Sequence, residues 1–144
     1  MLPLKKLIYN KKLIFYIFIL ILLIFIFLIF YLFFYKKESY LIYYPIEGKS
    51  YKLILAKTVF EHQKGLMFYK DKKELKGADG IIFIFNNKDY RTFWNKNTFL
   101  DLDVYWIDGD VVVAKDFLPS IKKTKDIFII TSPKPVDKVV EIVR

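Results

Sequence analysis

The stretch between residues 93 and 110 holds most of the side chains whose types and spacing could do chemistry. It contains Trp94, Lys96, Asn97, Asp101, Asp103, Asp108 and Asp110. Asp101 and Asp103 would lie about 7 Å apart on one strand face, where a carboxylate pair can perform acid–base chemistry or hold a hard cation. We predict a structural role instead, because Asp108 and Asp110 flank Gly109 in a turn that favours aspartate for its geometry alone. The chain has no cysteine, a single histidine and no calcium-loop pattern, so neither a metal site nor a cofactor is predicted.

The candidate functional set is Trp94, Lys96, Asn97 and Asp103. The polar members, Lys96, Asn97 and Asp103, are predicted to form a hydrogen-bonded latch between the turn at FWNKNT and the following DLD. A polar trio beside the tryptophans at 94 and 106 could equally form the wall of a small binding pocket. The residues alone leave both interpretations open.

The sequence allows an enzyme as the alternative to a binding or structural module. Such an enzyme would use Asp103 with Lys96 or His62, and a catalytic pair must be in contact. His62, the single histidine, is predicted to face solvent on a short helix. Four aromatic side chains could line a ligand groove: Phe93, Trp94, Tyr105 and Trp106. In so small a domain, such side chains more often form the core. A pocket joining His62, Lys96 and Asp103 would favour the enzyme, whereas a filled core with both tryptophans buried would favour the module.

The position of any such site relative to a membrane depends on the N-terminal segment. Residues 13–35 form an uncharged run of 23 residues, which as a helix is roughly 35 Å long and exceeds a bilayer core of about 30 Å. The run is longer than a signal-peptide core and no Ala-x-Ala site follows it. We therefore predict an uncleaved, single-pass transmembrane helix in the cell membrane.

The lysines around the span predict its orientation. Four precede it, at positions 5, 6, 11 and 12, and two follow it, at positions 36 and 37. The excess favours a basic cytoplasmic N-terminus over residues 1–12 and an extracytoplasmic domain, although the lysines at 36 and 37 oppose this. The lipid bilayer is therefore the one partner that the sequence predicts.

The net charge of +9 does not predict a nucleic-acid partner. Four of the 24 basic residues precede the span, and the rest are interspersed with all 15 acidic residues. A nucleic-acid surface would gather its basic residues into a patch or stripe. We expect a solvated surface, with the protein or small-molecule partner unidentified.

The remaining chain is predicted to form a juxtamembrane stalk or strand over residues 36–49 and one β-rich domain over residues 50–144. Thr58 and Glu61 match a capping box for one short helix, and Gly65 is placed to end it. Alternation and turn residues predict strands at 50–57, 81–85, 90–96, 100–108, 110–117, 126–131 and 136–143. The strands 81–85 and 90–96 are predicted to pair as a hairpin across the turn NNKD. The predicted fold class is mainly β with one short helix, either a small barrel or a strongly curved sheet.

Four ordered motifs, GLMFY, GIIFIF, FWNKNTFLDLDVYWID and VDKVVEI, resemble the family named domain of unknown function 192 over roughly residues 50–141. The resemblance implies a compact, mostly β domain, usually exported or membrane-anchored, with no established activity. The positions that match the family motifs are Gly65, Leu66, Met67, Phe93, Trp94, Lys96, Asn97, Thr98, Leu102, Asp103, Asp108 and Glu141. Asn95 stands where the family has Met and Asp101 where it has Pro, and relatives continue beyond the position of Arg144 with a tail that could form a pocket wall.

Overall fold

The computed structural model describes residues 4–34 and 40–144, with side chains described for residues 11–31 and 40–144. The chain divides into an N-terminal unit, residues 1–38, and a second compact unit, residues 39–144. Residues 1–3 of the predicted cytoplasmic segment, Tyr35 at the end of the predicted span, and residues 36–39 of the predicted stalk lie outside the described residues.

The N-terminal unit contains one long helix, α1 (Leu4–Phe34). Its segment Lys11–Tyr31 has a mean hydropathy of 3.5, and none of that segment is buried against protein. An α-helix of 21 residues is about 31 Å long, so this segment is long and apolar enough to cross a bilayer. A signal sequence near an N-terminus meets the same criteria of length and composition.

The second unit is mainly β, as predicted. Its strands are β1 (Leu41–Ile46), β2 (Lys49–Ala56), β3 (Gly80–Asp89), β4 (Thr92–Trp94), β5 (Leu102–Asp108), β6 (Val111–Leu118), β7 (Ile129–Thr131) and β8 (Val136–Val143). Six of them form a mixed sheet in the order β1-β2-β3-β8-β5-β6, and β4 pairs with β7 in a separate ribbon. Only the β2–β3 pairing within the large sheet is parallel. The helices of this unit are α2 (Val59–Lys64), α3 (Ile121–Thr124) and a 3-10 turn at Lys72–Leu75.

Both faces of the large sheet are buried, because successive strand residues point to opposite faces. One core cluster includes Phe83, Trp106 and Val139 together with Leu66 from the segment after α2. The buried residues of the opposite cluster all come from strands, Ile82 among them.

The capping box predicted at α2 is confirmed. The Thr58 hydroxyl accepts a hydrogen bond from the Glu61 amide at 3.3 Å, and the Glu61 carboxylate accepts one from the Thr58 amide at 3.0 Å. Gly65 ends the helix with a positive φ of 45°, a conformation that strains other residues. A Cβ on Gly65 would lie 3.3 Å from the Phe83 ring. The glycine therefore allows the chain to turn against the core, where Leu66 is buried.

The predicted hairpin between residues 81–85 and 90–96 is wrong. Strand β3 continues through the expected turn to Asp89, with β2 paired to Gly80–Phe83 on one edge and β8 on the other. Because the chain stays extended through NNKD, it does not turn back there, and β4 has another partner. It pairs with β7, and the Arg91 amide donates to the Ser132 hydroxyl at 2.9 Å beside that ribbon.

Candidate functional site

A groove lies between α2, β3 and the β4 end of the small ribbon. Its cavity volume is about 470 Å³, within the range of about 300–1,000 Å³ usual for small-molecule sites. The groove is lined by Val59, His62, Gln63, Phe83, Phe85, Tyr90, Arg91, Thr92, Phe93 and Trp94. Aromatic walls with a few polar groups are typical of a site for an organic ligand.

A smaller cleft of about 40 Å³ shares part of this lining. The side chains common to the groove and the cleft are His62, Gln63, Phe83, Phe93 and Trp94. The cleft adds Lys64, Gly65, Leu66, Met67, Thr98 and Glu141. The GLM motif after α2 and the FWNKNT motif thus meet at the cleft, with one acid of β8.

The aromatic wall is built from edge-to-face contacts. The ring centroids of Phe83 and Phe93 are 4.9 Å apart at 76°, and those of Phe93 and Trp106 are 5.7 Å apart at 73°. Such geometry is favourable beyond the area that it buries. Trp106 is buried whereas Trp94 is 49% exposed at the rim, so only one of the two tryptophans belongs to a filled core.

His62 does not face solvent as predicted. Its ring is half-buried, lies 4.5 Å from the Phe85 ring between centroids, and donates through Nε2 to the Ala56 carbonyl at 3.2 Å. A carbonyl oxygen only accepts, so Nε2 carries the proton. The short helix is packed against β3, and this turns one of its polar side chains inward.

Arg91 is the cationic side chain of the groove wall. Its guanidinium carbon lies 3.9 Å from the centroid of the Phe85 ring, a cation–π contact. Nη2 donates to the Asn87 side chain at 3.2 Å, whereas Nε is buried without a hydrogen-bond partner.

Glu141 is the buried acid of the cleft. It lies on β8 opposite Ile81 of β3 and Val104 of β5, and the residue is 4% exposed. No side chain or amide among the described residues donates a hydrogen bond to its carboxyl group. Burial raises the pKa of Glu141 to about 8, because a low-dielectric surrounding disfavours the charged form. The carboxyl group is therefore mostly protonated at neutral pH.

The latch predicted for Asp103 has different partners in the structure. The Asp103 carboxylate accepts from Arg144 Nε at 2.6 Å and pairs with Lys115 Nζ at 3.0 Å. Burial raises the pKa of Asp103, but the hydrogen bonds from Lys115 and Arg144 outweigh it, and the net change is a lowering. Lys96 instead lies 5.4 Å from the Trp94 ring centroid, and the Asn97 carbonyl accepts from the Phe68 amide at 2.9 Å.

The sheet separates Asp103 from the cleft that His62 lines. Asp103 alternates with Val104 on β5, so it lies on the sheet face opposite to Glu141 and the cleft. His62 lines the cleft, and neither Lys96 nor Asp103 lines it or the groove. The structure therefore brings neither Asp103 nor Lys96 to His62.

Asp101 has partners that the sequence did not reveal. It precedes β5, so it does not share a strand face with Asp103 as predicted. Its carboxylate accepts from the Ser120 amide at 2.9 Å and from the ammonium group of Lys123, at the start and within the first turn of α3. The Lys123 bond, followed by the Ser120 bond, lowers the pKa of Asp101.

The structure has the predicted turn at Gly109, between the end of β5 and the start of β6. Gly109 has a φ of +62°, and its amide donates to the Asp137 carboxylate at 2.9 Å. Asp108 pairs with Lys88 and, at 3.3 Å, with Lys134. Within residues 4–34 and 40–144, no group of three or more His, Asp or Glu side chains is arranged to hold a metal ion.

Sequence reasoning missed two buried polar residues. Glu141 was a family-motif position only, although an acid among the apolar residues of a central strand is itself a signal of a special environment. Asn95, which is fully buried, donates to the Pro119 carbonyl at 2.9 Å and the Thr124 hydroxyl at 2.8 Å, and it accepts from the Phe128 amide at 2.8 Å. No local pattern marks Asn95, because its partners lie 24 or more residues away.

Comparison with known proteins gives one family. The family model DUF192, described as an uncharacterized ACR, matches residues 43–144. No curated protein matches this chain.

Two solved structures are similar to this chain. One, from Sinorhizobium meliloti, is described as a candidate transcription regulator; it is 24% identical, and the match covers 75% of this chain and 84% of that chain with a TM-score of 0.56. The other, a protein of unknown function from Novosphingobium aromaticivorans, is 25% identical, and the match covers 74% of this chain and 83% of that chain with a TM-score of 0.52. The similarity to the first of them extends to the fold alone.

Proposed function

The chain belongs to the domain of unknown function 192 family, and on that premise we propose that its β domain is a binding module for a small organic ligand or side chain. One observation carries this proposal. An aromatic groove of about 470 Å³ shares five lining residues with a cleft that the buried acid Glu141 lines, and no described residue donates a hydrogen bond to this acid. Buried polar groups are normally hydrogen-bonded, so an unpartnered acid beside an open groove favours a ligand.

Binding is favoured over catalysis by Asp103 with Lys96 or His62. Those side chains do not line one cavity, and Asp103 is committed to Lys115 and Arg144. Nucleic acid is not favoured as a partner, because Arg91 is the one Lys or Arg side chain that lines the groove, whereas phosphate binding uses several cationic side chains. The description of the Sinorhizobium neighbour adds nothing here, since that likeness is one of fold.

We further propose that α1 is an uncleaved anchor and that the β domain lies outside the cell membrane. The apolar segment Lys11–Tyr31 and the lysines that precede or begin it support this setting. In this setting the groove would be open to extracytoplasmic ligands. The structural alternative is a module whose groove has no ligand.

The proposal is tested by blocking the groove. Thr92 lines it, whereas its cross-strand partner Thr131 does not, and their hydroxyls are hydrogen-bonded at 3.1 Å. Thr92→Trp should fill the groove, and Thr131→Trp is the matched control because it breaks the same hydroxyl contact on the neighbouring strand.

The full-length chain in detergent micelles is titrated with small amines, alcohols, carboxylates and amides, with NMR chemical shifts as the readout. At least one probe should perturb signals of Phe83, Phe93 and Trp94 saturably in the parent and in Thr131→Trp, and not in Thr92→Trp. If no probe perturbs these signals, or if Thr92→Trp binds as the parent does, the proposal is wrong.

A further inference from the structure

Resting on the proposed function of the groove, we infer that the cleft is a subsite for a primary ammonium group at the end of an aliphatic stem, with Glu141 as its counter-ion. The feature that calls for this ligand is the Glu141 carboxyl group. It is 4% exposed, it lines the cleft, and no described residue donates a hydrogen bond to it.

A ligand cation would provide the hydrogen-bond donor and the positive charge that the protein does not provide to Glu141. Burying an acid without a partner is unfavourable in either form, and a paired cation offsets the desolvation of the charged form. An ammonium group offers three hydrogen-bond donors and a full positive charge. A ligand carboxylate at the same place would share the site with the Glu141 carboxyl group, and two such groups cannot both be ionised there without strong repulsion.

The walls of the cleft match such a ligand in shape and chemistry. Phe83, Phe93 and Trp94 line both the cleft and the groove, and aromatic faces attract cations. The cleft volume of about 40 Å³ admits a single small polar group, since one water molecule occupies about 30 Å³ of liquid. The apolar walls of the larger groove then accommodate the methylene stem.

The other titratable groups around Glu141 leave the inner cleft to a cation. His62 and Lys64 of α2 also line the cleft, whereas β3 and β5 present the apolar Ile81 and Val104 beside Glu141. The Lys64 side chain is exposed, and His62 Nε2 is committed to the Ala56 carbonyl.

Arg91 supplies the complementary group of the outer groove. It is a wall residue of the groove only, and its buried Nε is a donor without a partner. The planar guanidinium group as a whole suits an acceptor oxygen of the same ligand. A lysine side chain within a peptide and a free alkylamine both provide the ammonium group.

The test uses the full-length chain in detergent micelles with n-butylammonium as the probe and n-butanol and n-pentanoate as the neutral and anionic controls. Calorimetry should show n-butylammonium binding at least about tenfold more tightly than either control, the size expected of a charge-assisted hydrogen bond. Glu141→Gln, which keeps the side-chain volume, should weaken n-butylammonium binding about tenfold or more. Glu47→Gln, the same change in the exposed turn after β1, should leave it unchanged.

A second readout separates a counter-ion from a structural residue. Because burial raises the pKa of Glu141 to about 8, pairing with an ammonium group at neutral pH should release most of one proton. Calorimetry in two buffers of different ionisation enthalpy measures this release, which should be absent in Glu141→Gln. The ligand source is read from N-acetyl-lysine methylamide and its norleucine analogue. Tighter binding of the lysine compound than of n-butylammonium supports a peptide, and equal or weaker binding supports a free amine.

The inference and the proposed function fail in different ways. If Glu141→Gln binds n-butylammonium as well as the parent does, or if n-butanol binds equally well, the ammonium subsite is wrong. Binding of other probes in the groove would then leave the binding module standing. If no probe binds the groove at all, both are wrong.

Discussion

At the scale of single residues, the buried polar groups divide into two kinds. The Asn95 side-chain amide donates and accepts hydrogen bonds in the loop around α3, so Asn95 stabilises the fold. Glu141 has no such partner and lines the cleft. A protein that only needed a filled core at this position would be more stable with an apolar residue of similar size. The two residues therefore have different roles in spite of similar burial.

Glu141 should give the domain a characteristic pH dependence of stability. Burial raises its pKa from the ordinary 4.5 to about 8, so between these values the folded state holds a proton that the unfolded state has released. The free energy of unfolding should therefore fall as pH rises through this window, by up to about 1.4 kcal/mol per pH unit, and level off above it. Glu141→Gln should remove this slope and be the more stable protein near pH 8.

Urea unfolding of the full-length chain in micelles, at several pH values from about 4.5 to about 8, measures this slope. Glu47→Gln serves as the control and should keep the slope of the parent. Parallel pH profiles for Glu141→Gln and the parent would show that the carboxyl group is not held protonated by burial.

At the scale of elements, the small ribbon decides where the groove lies. Strands β4 and β7 pair through Phe93↔Ile130 and Trp94↔Ile129, which sends Phe93 inward to the core and Trp94 outward to the rim. The chain before β7 contains α3, whose N-cap residue Ser120 makes no side-chain cap. The Ser120 amide donates to the Asp101 carboxylate, and the Ile121 amide donates to the Thr98 carbonyl. The loop contacts of Asp101 thus support one side of the site from a distance.

Loss of Asp101 should destabilise the domain more than loss of Asp103, although the sequence placed Asp103 and not Asp101 in the predicted latch. Asp101→Ala leaves the buried Ser120 amide without its acceptor, which should lower the free energy of unfolding by about 1–3 kcal/mol. Asp103→Ala removes ion pairs to Lys115 and Arg144, whose side chains are 42% and 52% exposed, and should cost about 1 kcal/mol or less.

Urea unfolding of both variants in the full-length chain gives this comparison. Asp110→Ala, at a 95% exposed side chain, is the baseline for a lost surface carboxylate. A larger loss for Asp103→Ala than for Asp101→Ala would contradict the account of these two residues.

At the scale of the whole molecule, the chain consists of an apolar helix and a β domain. The segment Lys11–Tyr31 contains two lysines and nineteen apolar side chains, and none of it is buried inside the structure. Nineteen apolar side chains exposed to water would be strongly unfavourable. The segment has the length and composition of a membrane span or of a signal sequence.

The topology of the anchor can be measured directly. With α1 uncleaved and the N-terminus inside, a tag fused after Arg144 should be digested when protease is added to intact spheroplasts, because the lysines before the span retain the N-terminus in the cytoplasm. A cytoplasmic marker should stay intact in the same sample. Protection of the tag beside an intact marker would reverse the orientation, and a mature protein that begins after the span would show that α1 is a cleaved signal.

Local features were predictable from the sequence alone. The apolar run of α1, the capping box at Thr58, the turn at Gly109 and the strand Val136–Val143 all depend on residues close together in the chain, where periodicity and backbone preferences act. The ordered motifs also identified the family over most of the β domain. These are properties that a short segment carries with it wherever it is placed.

The pairing of strands and the candidate site were decided only by the tertiary structure. Strand β3 runs straight through the expected turn, and its residues Gly80–Phe83 pair with β2 on one edge and with β8 on the other. No local pattern predicts these pairings. The Asp103 carboxylate accepts a hydrogen bond from Arg144, which is 41 residues away in the sequence. The cleft is lined by residues of α2, of the ribbon and by Glu141 of β8. Which residues far apart in sequence become hydrogen-bond partners depends on which surfaces the folded sheet brings into contact. The sequence therefore shows His62 and Glu141 as separate residues but does not predict that they line one cleft.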